Sequence, residues 1–298
     1  PDLMNYHGSD TNLTEALTLE AIKSLEEPIR LKMPFYLNMA HYAVHVPIQP
    51  DVLFYQSYLE EGLDTANAKY ASMVASMDKS LGDIMKFLSA KDIAKNTIII
   101  FMSDNGGLSL GGARGKIAHV QNLPLRAGKG SMYEGGIRVP MIVKWSKVVK
   151  SNTSINQYVI AEDFFPSIIH MAGITNFKTI QKVDGKSFVP LLKNNKITDT
   201  NRVLVWHYPN KWVDGDGPAI NYKSAIRQGS WKLIYDLRNG HKELYNLSYD
   251  IGEHFDLSMQ QPAKTKQLSL KLKEILEKNN APMPSYKLNS KKVEILID

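Results

Sequence analysis

Residues 97–107 read Thr-Ile-Ile-Ile-Phe-Met-Ser-Asp-Asn-Gly-Gly, and the reading of this stretch decides the fold. Its first part, Ile98 to Met102, is a short apolar run rich in β-branched residues and bounded by polar ones. Such a run is expected to be a strand buried on both faces. It ends in Ser103-Asp104-Asn105-Gly106-Gly107, and in open α/β sheets the chemistry sits just past the carboxyl ends of the strands. A carboxylate beside a carboxamide on a turn offers two hard oxygen ligands to a Ca²⁺- or Mg²⁺-type ion. Downstream, Lys129 stands between Gly128 and Gly130, so little side-chain bulk hinders an anion approaching it. The expectation is one pocket shared by the cation ligands Asp104 and Asn105 and an anion-binding Lys129. Asp-Asn-Gly-Gly is equally ordinary turn chemistry, and a lysine between glycines is commonly a solvated loop residue. The pattern alone leaves both readings open.

Two nearby patterns are not phosphate or dinucleotide motifs. Gly111 to Lys116 lacks the spacing of G-x-x-x-x-G-K-[ST], and Gly128-Lys129-Gly130 lacks a third glycine because position 133 is Tyr.

Working outward, 64–88 carries Tyr70, Met73, Val74, Met77, Leu81, Ile84, Met85 and Leu88 at three- and four-residue steps, which predicts an amphipathic helix with a methionine-rich core face. Residues 11–25 predict another helix, capped by Thr11 or Thr14. Between them, Pro34 to Ala40 reads as a second short strand that runs into His41-Tyr42-Ala43-Val44-His45-Val46-Pro47. Histidines just past a strand end are suited to acid, base or anion-donor roles, and His45 is favoured over His41 because Pro47 marks the turn beside it.

Beyond Pro140, a strand is expected over Met141–Trp145. A helix follows over Tyr158–Gly173, with Asp163 at its N-cap and His170 on a packing face. Asp184 to Leu192 is expected to form a further short helix. The polar stretch Lys193–Asn201 suggests a boundary between domains 1–195 and 196–298. After it come short strands at Val203–Trp206, Ser224–Gln228, Trp231–Asp236 and Lys242–Leu247, with Gly229-Ser230 and Asn239-Gly240 at turns. A helix over Ala263–Lys278 completes an antiparallel α+β subdomain. His207, with Tyr208-Pro209 and the Gly215-Asp216-Gly217 loop after it, is a candidate binding residue on a long connection.

With 43% hydrophobic and 22% charged residues in 298, the chain can bury a sizeable core. No apolar stretch approaches the length of a membrane helix. Pro1-Asp2-Leu3 has neither the basic start nor the apolar core of a signal peptide, and without an initiator Met the chain is expected to begin inside a longer protein. The absence of cysteine excludes disulfides and thiolate chemistry. The net charge of +6, from 36 basic and 30 acidic side chains, favours anionic ligands. The lysines are scattered rather than striped, so neither a nucleic-acid nor a membrane role is indicated.

Taken in order, PFYLNMAHYAVHVP, TIIIFMSDNGG, LRAGKGSMYEGGIRVP, EDFFPSIIHMAGI and SAIRQGSWKLIY followed by ELYNLSYDIGE resemble the sulfatase family of the alkaline-phosphatase-like superfamily. These segments cover nearly the whole chain. The resemblance implies a partial alkaline-phosphatase-like α/β sandwich with a small C-terminal antiparallel subdomain. It places Asp104 and Asn105 at the family's calcium ligands, with Ca²⁺ ahead of Mg²⁺, and Lys129 at the lysine that contacts the sulfate group. His45 falls at the sulfate-site histidine that protonates the leaving oxygen, and His207 where carbohydrate sulfatases recognise the sugar. His41, beside His45, is carried as a second substrate-binding candidate. Glu134 and Arg138 in the same motif suggest an internal ion pair. The implied partner is a sulfated carbohydrate or another sulfate ester, and the implied location is periplasmic or secreted.

One departure matters. The family's nucleophile is a formylglycine made from [CS]-x-P-x-R. This chain has no Cys, and no proline has Ser two residues before it. The family's paired acidic calcium ligands near the N-terminus are also missing. The expectation is therefore a C-terminal portion that does not hydrolyse sulfate esters alone. The rivals are a phosphatase or phosphodiesterase of the same superfamily and a non-catalytic protein that binds sulfated glycans.

Overall fold

The computed structural model of the chain describes residues 3–108, 122–174, 176–213, 217–287 and 290–297. The Gly111–Lys116 pattern, and Gly215 and Asp216 of the loop after His207, lie outside the described residues. The chain forms two compact units, one of residues 1–99 with 111–119 and one of residues 100–110 with 120–298. The division falls after Ile99 rather than in the polar stretch Lys193–Asn201, both sides of which belong to the second unit.

The first unit is helical. It contains α1 (Leu13–Arg30), α2 (Tyr55–Glu60) and α3 (Thr65–Ala90). The cap of α1 is Asn12, not Thr11 or Thr14: its side-chain oxygen accepts the Glu15 N–H at 2.9 Å, which satisfies one of the open donors of the first turn. Asp64 does the same for α3, accepting from Ala66 and Asn67. The most buried face of α3 is Ala68, Ser72, Ser76, Ser80, Ile84 and Leu88, which corrects the methionine-rich face expected from the sequence. Small residues let α1 approach closely enough for Thr18 Oγ1 and Ser80 Oγ to share a hydrogen bond of 2.5 Å. Met73, Met77 and Met85 flank that stripe, half-buried. The strand expected over Pro34–Ala40 forms no regular element and has no ladder partner among the described residues. Only Leu37 and Met39, on alternate positions, pack against the cluster of Ala21, Leu25, Ile84 and Leu88.

Among its described residues the second unit holds two sheets. In the first, β1 (Ile99–Met102, whose first residue lies at the junction) pairs with β2 (Met141–Lys144), and α4 (Glu134–Ile137) lies between them in sequence. Paired with one strand, β1 is half-buried with Met102 exposed, rather than sealed on both faces. Then come α5 (Phe164–Met171) and α6 (Val189–Lys193), the latter starting at Val189 and not at Asp184. Asp163 precedes α5 but makes no side-chain cap. It is buried, accepting the N–H groups of Ile160 and Lys186 and pairing with Arg202 at 2.6 Å. His170 is exposed and bonded to Ser187, not packed inside.

The second sheet runs β3 (Val203–Tyr208), β4 (Lys223–Gln228), β5 (Trp231–Asp236), β6 (Lys242–Asn246), all antiparallel in that order. Strand alternation gives it two faces. Ile226, Leu233, Tyr235 and Leu244 pack on Leu268, Leu272 and Leu276 of α7 (Pro262–Lys278). Ala225, Ile234 and Tyr245 on the other face pack on Met132 and Tyr133. The sheet therefore serves as the floor under the segment that carries Lys129. No helix among the described residues is long and apolar enough to cross a membrane.

Candidate functional site

The turn after β1 and the loop around Lys129 are laced together by backbone and one carboxamide. Gly106 donates to Gly136 O at 3.0 Å, and Lys129 donates its backbone N–H to Gly107 O at 3.0 Å. Asn122 closes the arrangement: its Oδ1 accepts the Gly107 N–H at 2.9 Å, and its Nδ2 donates to Gly107 O at 2.8 Å and to Ala127 O at 2.9 Å. A Cβ on Gly106 would lie 1.7 Å from Gly135 O, so only glycine permits the two segments to approach this closely.

Within this lacing Asp104 is exposed, and its carboxylate makes no hydrogen bond or ion pair among the described residues. Asn105 spends its Nδ2 on Gly106 O at 3.0 Å, and its Oδ1 has no partner among the described residues. The two available donors are thus hard oxygens, and they fit a hard divalent cation in kind, as part of a shell of six to eight. Lys129 is half-buried, and its ammonium has no partner among the described residues.

Beneath the loop lies a buried ionic group. Glu134, 1% exposed, accepts from Arg227 at 3.0 Å and Lys232 at 2.9 Å. Arg138 stands at 3.9 Å, the outermost of its cations. Lys232 also lies 2.8 Å from Glu253, which in turn accepts the Glu134 N–H at 2.6 Å. Burial pushes the Glu134 carboxyl up, but Lys232 and Arg227 outweigh it and hold the carboxyl below the ordinary range. For Glu253 burial wins over Lys232, and its pKa is raised. Beside this group, Tyr133 and Tyr245 both donate to Glu243 Oε2, at 2.5 and 2.6 Å, and burial raises both phenol pKa values. Arg126 stacks over Tyr133 with 3.9 Å to the ring centroid and donates to the Glu253 carbonyl at 2.6 Å.

The histidines differ in what they have free. In the first unit, His45 is exposed and its Nδ1 lies 2.8 Å from Val46 O. A carbonyl can only accept, so Nδ1 carries the hydrogen and Nε2 is the atom left to take or give a proton. His41 has Nε2 3.3 Å from Ser80 Oγ and a buried Nδ1 without a partner among the described residues. Burial lowers its pKa. In the second unit, His207 lies within β3, with Nδ1 2.7 Å from Ser224 Oγ and Nε2 2.7 Å from Pro282 O. Both ring nitrogens are engaged, so in this arrangement His207 anchors the chain end rather than facing an open loop.

Sequence reading passed over Asn122, Arg227, Lys232 and Glu253. The one available signal was Lys232 between Trp231 and Leu233, a charge set in the apolar part of a strand.

Residues 2–174 match the family model described as Sulfatase. Residues 127–281 match that of N-sulphoglucosamine sulphohydrolase, C-terminal. The chain is 33% identical to a "Sulfatase" of Formosa agariphila, over 96% of this chain and 54% of that protein. It is 28% identical to human "Steryl-sulfatase" over 75% of this chain and 36% of the relative. The solved structure "Crystal structure of Ps i-CgsB in complex with k-i-k-neocarrahexaose" superposes with a TM-score of 0.76 at 28% identity, covering 93% of this chain and 58% of that one. The chain thus spans about half the length of the curated relatives it matches.

Proposed function

The chain belongs to the sulfatase family, with its alkaline-phosphatase-like α/β fold, and on that premise we propose that it carries the cation- and sulfate-binding part of a sulfuric ester hydrolase site acting on a sulfated carbohydrate or an aryl sulfate. The observation that supports this most is the lacing of the Asp104-Asn105 turn to the Lys129 loop, through Lys129 N to Gly107 O and the three bonds of Asn122. It holds two hard oxygens and an ammonium on adjoining backbone.

Asp104 and Asn105 would hold the cation, Ca²⁺ ahead of Mg²⁺, and that ion would neutralise charge on the sulfate oxygens. Lys129 would donate to the same oxygens, and a hydrogen bond from a charged donor is worth roughly 1.5–3 kcal/mol. His45, with its proton exchanged at Nε2, would protonate the leaving alcohol oxygen. His41, whose pKa burial lowers, and His207, once it released Ser224 or Pro282, complete the substrate-binding proposals. The [CS]-x-P-x-R pattern that yields a formylglycine nucleophile does not occur in these 298 residues, and a calcium shell needs further ligands beside Asp104 and Asn105. Hydrolysis is therefore proposed for the polypeptide that supplies them, with export to the periplasm or outside the cell.

The test compares this chain with a longer polypeptide carrying [CS]-x-P-x-R, on an aryl sulfate and on sulfated oligosaccharides such as neocarrahexaose. Turnover is expected from the longer polypeptide only, falling at least about a hundredfold on Lys129→Ala. Turnover by the 298-residue chain that vanishes on Lys129→Ala would refute its inactivity. Turnover by the longer polypeptide that ignores Lys129→Ala would refute the role of Lys129. Glycan binding without any turnover would favour the non-catalytic reading.

A further inference from the structure

Trp212 is the most conspicuous surface residue near the Lys129 loop. A Cβ placed on Gly130 would lie 2.1 Å from Cζ3 and 2.4 Å from Cε3 of Trp212, so the six-membered ring of the indole is seated on the residue that follows Lys129. Gly130, at φ +86°, has the left-handed backbone and the missing side chain that allow this seat. Trp212 nevertheless stays 41% exposed.

Its backbone is held firmly. Asn221 is 2% exposed, and its Oδ1 accepts the N–H groups of Trp212 and Val213 at 2.7 and 3.3 Å while its Nδ2 donates to Val213 O at 3.0 Å. A large aromatic ring left partly in water, but fixed from below and behind, is a preorganised contact surface with little entropy left to lose.

We propose that Trp212 is the platform on which the sugar ring of a sulfated saccharide stacks while its sulfate reaches Lys129. The C–H groups of a pyranose ring carry partial positive charge and form an apolar patch, which complements the negative face of an indole. The ammonium on the neighbouring residue supplies the charge that the sulfate needs. This inference rests on the sulfatase reading of Lys129 and adds to it: it favours a saccharide over a steryl or simple aryl ester, and it names the residue that selects it.

The experiment uses the full chain, its Trp212→Phe and Trp212→Ala variants, and Lys129→Ala, with thermal melts confirming that each folds. The probes are sulfated hexasaccharides from a galactan, a fucan and a glycosaminoglycan, their desulfated counterparts, and sodium sulfate. Isothermal titration calorimetry reports binding, because it reads the wild type and both Trp212 variants in the same way. The expected result is that at least one sulfated hexasaccharide binds the wild type with measurable heat. Its affinity should fall about tenfold or more in Trp212→Ala and only a few-fold in Trp212→Phe, while sodium sulfate binds all three proteins alike. Equal affinity of wild type and Trp212→Ala for every hexasaccharide, or no binding of any of them to the wild type, would overturn the platform. If sulfated and desulfated hexasaccharides bind equally and Lys129→Ala changes neither, the sulfate reading of Lys129 fails while the stacking role of Trp212 stands.

Discussion

The backbone N–H of Lys129 donates to the carbonyl oxygen of Gly107 at 3.0 Å, and the Asn122 side chain grips that same Gly107 on both its N–H and its C=O while also donating to Ala127 O. The position of the lysine relative to Asp104 and Asn105 is therefore set by main chain, and among the described residues the ammonium has no partner.

Asn122 should be the residue whose loss loosens this arrangement. Replacing it with Ala deletes three hydrogen bonds, each worth about 1 kcal/mol net. Amide hydrogen exchange at Gly107 and Lys129 is expected to accelerate at least tenfold, while exchange in the β3–β6 sheet stays as it was. Unchanged exchange at those two amides would show that the backbone contact holds without the carboxamide.

Glu134→Gln should be severe although it is nearly isosteric. It removes a carboxylate that faces both Arg227 and Lys232 in a buried site, and breaking one partner of such a group costs about 3–5 kcal/mol. Urea denaturation would read this as a lower midpoint at unchanged slope. Glu253→Gln is expected to cost less, because burial already disfavours the charged form of Glu253.

The acid limb of the stability curve should depend on Asp236. Burial pushes this carboxyl up, but hydrogen bonds from Arg238 and Lys223 outweigh it and hold the pKa at about 2, against an ordinary value of 3.8. A depressed carboxylate contributes stability that is fully present above its unfolded pKa and is lost as pH falls through the folded one. Stability should thus decline between about pH 4 and 2. Asp236→Asn should flatten that part of a Tm-against-pH series while lowering Tm at neutral pH, and a parallel decline in both proteins would refute the assignment.

His207 offers a way to separate anchoring from sugar recognition. Its ring bridges Ser224 Oγ on β4 and the Pro282 carbonyl. His207→Ala is expected to lower stability by about 1–3 kcal/mol in urea and to speed amide exchange in residues 283–287. A variant as stable as the wild type, with weakened glycan binding, would instead make His207 a recognition residue.

Much of the architecture was legible because its signals are local. The Asn239-Gly240 turn, the short apolar run Leu233-Ile234-Tyr235 and the four-residue spacing of Leu268, Leu272 and Leu276 each name an element through residues close together in sequence. Where an inference needed a partner, it failed. Pro34–Ala40 has the composition of a strand, yet pairing depends on a neighbouring strand that no local pattern announces. The methionines of α3 have the hydrophobicity of a core face, yet the close packing of α1 selected serine and alanine instead.

The sequence by itself determined that this chain is a mixed α/β protein with an antiparallel C-terminal sheet, and it named Asp104, Asn105 and Lys129 as candidate ligands, because strand ends, turns and glycine spacing are written residue by residue. Only the tertiary structure decided that Lys129 is tied to Gly107, that Glu134, Arg227, Lys232 and Glu253 form one buried group, and that Trp212 rests on Gly130. These contacts join residues far apart in the chain. They form only when separate segments are packed together and water is excluded, so that a buried charge or an unfilled Cα face must find its complement in whichever segment arrives there.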